Sequence, residues 1–372
     1  MPMPDKKRRK KLAAAAPTPT PAPGPVARLV RVRSGNKKRE EASPEKQPPP
    51  VYMVLAHGVE EEPTYSVIEV AAGAAVCRLR HISGGGMSFA AVGTPSGPQI
   101  VGIGLEKSTV YNPKTSKERA GPRLVYPKVN PVLISDGGKL YALSRSPAVV
   151  KGRDFEPWFL VLDDLGYIIW RFLPPPPIFP CRLNPLEYGD PPKVRVAAYA
   201  LVDSHILLSV QQDKGTCAFD VDANQWEMVD DKNLPFTGQA VPLGDHRFVA
   251  CSKEKGGAAA VYYMVVGTSV TGKKELSIVE LQVASKRIVP GHLLCAMGKG
   301  SFSSFDVRSI ASPAKLDRAR IVHRTYSQVE ADDAETDLGF IVKQDRQIYK
   351  LRDPHAYLAH PSWAVAALTM EE

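Results

Sequence analysis

The sequence predicts an all-β chain: a β-propeller of six blades, with seven as the alternative count, preceded by a disordered N-terminal tail. Three observations carry this. Short apolar runs rich in β-branched and aromatic residues recur from Val51 onward, bounded by turn residues. Rings inside these runs return at a nearly constant spacing, with Phe219, Tyr263, Phe305 and Tyr349 separated by 44, 42 and 44 residues. The entire formal charge of +9 is confined to the first fifty residues, leaving an electrically neutral body.

The tail, residues 1–50, holds 13 Lys/Arg, 4 Asp/Glu and 11 prolines, with few large apolar side chains. Such a segment cannot bury enough surface to offset its chain entropy, so disorder is expected, with extended polyproline II over the run that starts at Pro17. Lys6, Lys7, Arg8, Arg9, Lys10 and Lys11 form six uninterrupted cations. They are the candidate nuclear-import signal, and import machinery is the partner they suggest; a polyanion anchor or a plain solvated segment are the other readings. No ring interleaves with cations before Tyr52, which argues against single-strand stacking and specific nucleic-acid recognition.

The body is expected to occupy residues 51–360, with 361–372 as a C-terminal tail. Its runs include Tyr65–Val70, Ser88–Val92, Gln99–Ile103, Pro131–Ser135, Trp158–Leu162, Ala197–Val202, His205–Val210 and Val261–Val266, and no long helical periodicity occurs. Tight turns are predicted at Asp136-Gly137-Gly138, Asp203-Ser204, Gly244-Asp245-His246 and Gln344-Asp345, where Gly and Asp supply positive φ or local hydrogen bonds.

Upstream, Tyr65 and Tyr111 extend the long period, and Leu162 fills the interval before Phe219. A repeat of this length made of strands and turns indicates a propeller, because a lone four-stranded blade exposes two faces that stacking covers. Six blades result if Phe340–Leu351 pairs with Tyr52–Val70 to close the ring; seven result if each forms its own blade.

Phe219-Asp220 leads to Trp226, Leu162-Asp163-Asp164 to Trp170, and Tyr111-Asn112 to Glu118 at the same offset. This ring, Asx turn and tryptophan resembles the kelch repeat, in which the ring packs between sheets and the Asx residue starts the turn into the outer strand. The glycine pair that precedes the kelch ring is missing here. Longer phrases, among them "PVLISDGGKLYALSRSPAVV", "LPPPPIFPCRLNPLEY" and "GTCAFDVDANQWEMVDDKNLPFTGQAVPLG", resemble the plant domain-of-unknown-function family 1668, abundant in grasses, over roughly residues 50–360. The resemblance implies a kelch-like propeller and brings no activity, substrate or catalytic residue. Many plant kelch proteins carry an F-box, but the first fifty residues have no leucine-patterned helix to supply one.

No local pattern carries chemistry. Gly102-Ile103-Gly104-Leu105-Glu106-Lys107-Ser108 places Glu106 where a phosphate loop needs glycine, so a hairpin is expected there; Gly84-Gly85-Gly86 reads as a connection between blades. The eight histidines and five cysteines have no metal-ligand spacing, and no nucleophile elbow occurs. No catalytic residue, cofactor or metal is therefore expected. His205 and His246 fall in turns of successive units and could share one face. The cysteine count is odd and the spacing wide; three of the five, Cys217, Cys251 and Cys295, lie in apolar runs and read as buried thiols, and no run approaches the ~20 residues of a membrane helix. A reduced intracellular site without membrane is expected, nucleus favoured over cytoplasm.

Two surfaces stand out. Arg153, Phe155 and Trp158 mix charge and rings in a loop, and Phe179 and Tyr188 lie in the insertion Pro174–Pro192, whose four consecutive prolines form a stiff ridge or a packed strap. The expected role is a non-enzymatic protein-interaction module for an unknown protein partner. Alternatives are an enzyme using the axial funnel and a ubiquitin-ligase adaptor lacking its own F-box. An enzyme should converge His, Asp, Glu or Tyr at one channel mouth; a binding module should place loops and exposed rings there.

Overall fold

Runs that are apolar at every position can be strands only if both sheet faces are covered. The chain meets that condition by stacking sheets side by side. A computed structural model describes residues 49–82, 85–105, 107–166, 169–283, 293–298, 300–308, 319–328, 339–340, 342–359 and 361–370. Residues 1–48 of the expected basic tail, with Lys6–Lys11, lie outside the described residues.

Blade 1 contains β1 (Val51–His57), β2 (Thr64–Glu69) and β3 (Ala74–Leu79). Blade 2 is β4 (Ser88–Val92), β5 (Gln99–Ile103), β6 (Ser108–Asn112) and β7 (Lys117–Ala120). Blade 3 is β8 (Val132–Asp136), β9 (Lys139–Leu143), β10 (Phe159–Leu162) and β11 (Arg171–Phe172). Blade 4 is β12 (Val196–Val202), β13 (His205–Val210), β14 (Thr216–Asp220) and β15 (Gln225–Asp230). Blade 5 is β16 (Phe236–Gly244), β17 (Arg247–Ser252), β18 (Ala259–Thr268) and β19 (Lys274–Val283). Blade 6 is β20 (Leu293–Gly298), β21 (Ser301–Arg308), β22 (Arg320–Gln328) and, beyond the short β23 (Gly339–Phe340), β24 (Val342–Lys350). The final strand, β25 (Ser362–Thr369), returns to blade 1 and pairs antiparallel with β1, from Val51↔Thr369 to His57↔Ser362. The result is a six-bladed β-propeller.

Innermost strands are neighbours around an axis: β25 beside β4, β4 beside β8, β12 beside β16, β16 beside β20, and β20 beside β25. Among the described residues, six apolar clusters fill the six spaces between blades. Blade 4 shows how one strand serves two of them. Ile206, Leu208 and Val210 face blade 3, whereas Leu207 faces blade 5; Cys217 and Phe219 face blade 3, whereas Ala218 faces blade 5. The period of two is kept, but both phases are apolar because both sheet faces are covered. Size alternates too. Ala198, Ala200 and Ala218 on blade 4 leave room for Phe236, Phe248 and Tyr262 of blade 5. Outer strands β7 and β11 are largely solvent-facing; β7 is correspondingly polar, whereas β11 exposes the Phe172 ring.

The two-residue turns follow the sequence. Gly137 and Gly138 between paired Asp136 and Lys139 both have positive φ, as do Asp245 and His246 between Gly244 and Arg247. The Asx turns form as expected. Asp220 Oδ1 accepts from the backbone N–H of Asp222 and Ala223, Asn112 Oδ1 from Thr115, and Asp164 Oδ1 from Gly166.

Four expectations need correction. The closing strand is β25, from the segment expected to be a C-terminal tail, and β24 is instead the outer strand of blade 6. Ala-rich Ser362–Thr369 has weak intrinsic strand preference, and its place is set by burial against neighbours. Lys343–Arg346 is not a turn: Asp345 pairs with Thr325 within β24, on an outer strand where polar residues stay hydrated. The ring period holds the third strand in blades 1–5 but fails in blade 6, where Phe305 lies in the second strand and Tyr349 in the fourth. Even in blade 5 the buried ring is Tyr262, pairing with Phe248 as Phe219 pairs with Ile206; Tyr263 is partly exposed.

Candidate functional site

Antiparallel order fixes which loops share a face. The loops between second and third strands, and the connections between blades, gather on one face, here called upper; the hairpins between first and second strands, and the turns between third and fourth, gather on the other. Sequence position alone therefore assigns every loop once the blades are known.

The axial channel is lined by inner-strand residues. Its lower part, about 680 Å³, is walled by Ala90, Leu133, Val241, Cys295, Ala367 and neighbours, with Gly93, Gly137, Gly138, Gly244 and Gly298 at its turns. Its upper part, about 300 Å³, adds Arg145, Tyr199, Thr237 and Cys251. Contiguous with it through Arg145, Thr237 and Gly238, a mouth of about 420 Å³ is lined by Arg145, Arg195, Gln211 and Lys253. Arg145 Nε donates to the Asn130 carbonyl at 2.9 Å, and Lys253 Nζ donates to the Leu234 carbonyl at 2.7 Å. Burial lowers the Lys253 ammonium, against the pull of Asp213. Burial raises the Tyr199 hydroxyl, while the adjacent Arg145 guanidinium opposes that rise.

The surface residues singled out by sequence all reach the upper face around blade 3, but they do not share one fate. Phe155, Trp158 and Phe179 are buried. Trp158 and Phe179 stack at 3.9 Å between centroids, and the Trp158 indole donates to the Pro180 carbonyl at 2.9 Å. They fasten the proline-rich insertion down instead of forming a contact surface, because large rings beside four prolines can exclude water locally. Arg153 sits over the Tyr126 ring at 5.0 Å. Tyr188 is 60% exposed and donates to Asp154 Oδ1 at 3.0 Å, while Asp154 Oδ2 accepts from the Leu183 N–H. Beside it, Leu186 is 93% exposed.

A serine–lysine contact also lies here. Lys128 Nζ donates to Ser144 Oγ and to the Pro157 carbonyl, both at 2.5 Å, with Glu156 at 3.9 Å. Lys128 and Ser144 are buried, and neither lines the channel or its mouth. The contact ties the blade 2–3 connection to the second-to-third-strand loop of blade 3.

His205 and His246 share the lower face but are not equivalent. His246 is a turn residue 3.4 Å from Asp203 of the preceding blade, whereas His205 begins β13 and its Nε2 lies 3.6 Å from Asp220 of its own blade. Gly102 and Gly104 belong to the β5–β6 hairpin: a Cβ on Gly104 would strike the Met87 sulfur, so close packing accounts for the glycine. Among the described residues no cluster of three or more His, Cys, Asp or Glu could hold a metal, no disulfide links the cysteines, and no helix is long and apolar enough to cross a membrane.

Sequence reasoning missed Arg145, Arg195 and Lys253. Each is a single cation next to an apolar run, and nothing local relates them. A register of the blades would have aligned Arg145 with Lys253, since both follow the second strand of their blades.

A family model described as a protein of unknown function, DUF1668, matches residues 48–349. No curated protein matches the chain.

Proposed function

The chain belongs to the DUF1668 family, described only as being of unknown function, and on that premise we propose that it is a non-enzymatic, kelch-like interaction module that binds a protein partner on the upper face of its propeller. One observation carries the reading: Leu186 and Tyr188 project from a strap that is held rigid. Asp154 grips that strap through both carboxylate oxygens, and the Trp158–Phe179 stack anchors its other arm. Exposed apolar and aromatic groups on a preorganised support lose little entropy on binding, which is what hot-spot positions require. The walls of the lower channel support the same reading, being built mainly from glycine, alanine and leucine.

The six-cation run at Lys6–Lys11 supports nuclear import as the route to that partner. Proximity labelling with the full chain beside a Leu186→Ala/Tyr188→Ala variant tests the proposal. A reproducible set of labelled proteins that disappears with the variant, at unchanged thermal stability, is expected. An identical labelled set from both chains would overturn the assignment of this face.

A further inference from the structure

We propose that the upper mouth of the channel is an oxyanion-recognition site, in which Arg145, Arg195 and Lys253 receive a carboxylate or phosphate group. The inference deepens the proposed role by naming the chemistry a partner should present, and it rests on the upper face being the binding face.

The three cations come from three successive blades. Arg145 follows β9 of blade 3, Arg195 precedes β12 of blade 4, and Lys253 follows β17 of blade 5. The fold brings them to one cavity of about 420 Å³ whose lining contains no carboxylate. That departs from the body as a whole, where acidic and basic residues balance. Gln211 and Thr237 add neutral hydrogen-bonding groups to the same wall.

Two of the cations are held in place. Arg145 uses Nε on the Asn130 carbonyl and contacts the Tyr199 hydroxyl; Lys253 uses one ammonium proton on the Leu234 carbonyl. Neither contact neutralises a charge. Arg195 is exposed and makes no ion pair among the described residues. Asp213 is the carboxylate whose field reaches Lys253, and it lies outside the lining. Like charges converging on one concavity repel until an anion arrives, and a guanidinium offers paired donors matched to a carboxylate or phosphate.

The test uses the full chain and two probes at low ionic strength, inorganic phosphate and a hexaglutamate peptide, with binding followed by calorimetry. The wild-type chain should bind at least one probe, more weakly as salt rises. Arg195→Gln/Lys253→Gln should weaken it by about tenfold, at roughly threefold per exposed charge contact. Lys193→Gln, an exposed cation outside the cavity, should leave it unchanged. The N-terminal cations are common to all chains, so they cannot produce the difference. Binding of phosphate places a free anion in the site; binding of the peptide alone assigns the group to an acidic segment of a partner. No binding of either probe, or equal binding by wild type and double variant, overturns the site. Partner labelling that survives such a result would leave the interaction role standing and remove only the anion.

Discussion

The indole Nε1–H of Trp226 donates to the carbonyl oxygen of Pro174 at 2.8 Å, linking blade 4 to the end of blade 3. One blade earlier the same relation recurs, with Trp170 donating to the Pro122 carbonyl at 3.4 Å. Each tryptophan lies in or beside the fourth strand of its blade, and each proline follows the fourth strand of the blade before. A proline cannot extend that strand's ladder, and its carbonyl takes a side-chain donor instead. Trp226 also closes on Phe219 and Phe159, with centroids at 5.1 and 5.5 Å, so one ring both seals the interface and bonds across it.

Trp226→Phe keeps most of the packing and removes the donor. It is expected to cost about 1 kcal/mol, the typical worth of one hydrogen bond. Trp170→Phe acts at a separate interface, so the double variant should sum the two losses. Chemical denaturation of the three variants checks this. A loss in the double variant well below the sum would show that the two contacts are not independent.

Deleting residues 361–372 removes β25 and leaves β1 as an open inner edge. It also removes Trp363, Ala364 and Ala367 from the clusters on either side of blade 1. Exposed edges of this kind recruit other strands. Size-exclusion chromatography and thermal melting should show association and a lower transition temperature. A monomer melting like the intact chain would mean that the ring holds without its closing strand.

His57 links β1 to the segment before β25. Its Nδ1 accepts from the Ala359 N–H at 3.2 Å, and its Nε2 lies 2.9 Å from Ser66 Oγ, which fits a neutral ring protonated at Nε2. Burial holds its pKa down to about 4, with Arg78 adding to the shift and Asp353 opposing it. The unfolded chain therefore takes up a proton near pH 6.5 that the folded chain refuses. Stability from this group is present above pH 6.5 and is lost as pH falls toward 4. The melting temperature of the wild type should fall more steeply across that window than that of His57→Gln; parallel curves would refute the assignment.

Lys128 is buried with Glu156, and burial lowers it to about 8 while raising Glu156. Between pH 8 and the ordinary lysine value the unfolded chain binds the extra proton, so this group adds stability as pH rises through that range. Lys128→Met should cost about 3 kcal/mol at neutral pH because Glu156 loses its partner, and adding Glu156→Gln should recover part of it. Denaturant midpoints of the two variants decide. If the second substitution restores nothing, the loss arises from the Ser144 and Pro157 contacts.

Much of the architecture was legible because its causes are local. The Gly137-Gly138 turn, the Asx turns at Asp220 and Asn112, and the mostly apolar run His205–Val210 each follow from residue chemistry and the period of a strand. Blade 6 and the closing strand were not legible. Tyr349 continues the numerical period while belonging to a different strand, and Ser362–Thr369 offers mostly small side chains whose strand state depends on β1.

The site divides the same way. Sequence marked Arg153, Phe155, Trp158, Phe179 and Tyr188, and all five meet on one face, but which rings face water depended on how the proline strap folds over blade 3. The sequence by itself determined an all-β body, the repeat that makes blades, and the separation of charge between tail and body. These are sums and periods along the chain. Only the tertiary structure decided which strand closes the ring, which rings are buried, and that Arg145, Arg195 and Lys253 share one cavity. Those outcomes depend on close approach between residues far apart in sequence, set by packing around the axis and not by any neighbour in the chain.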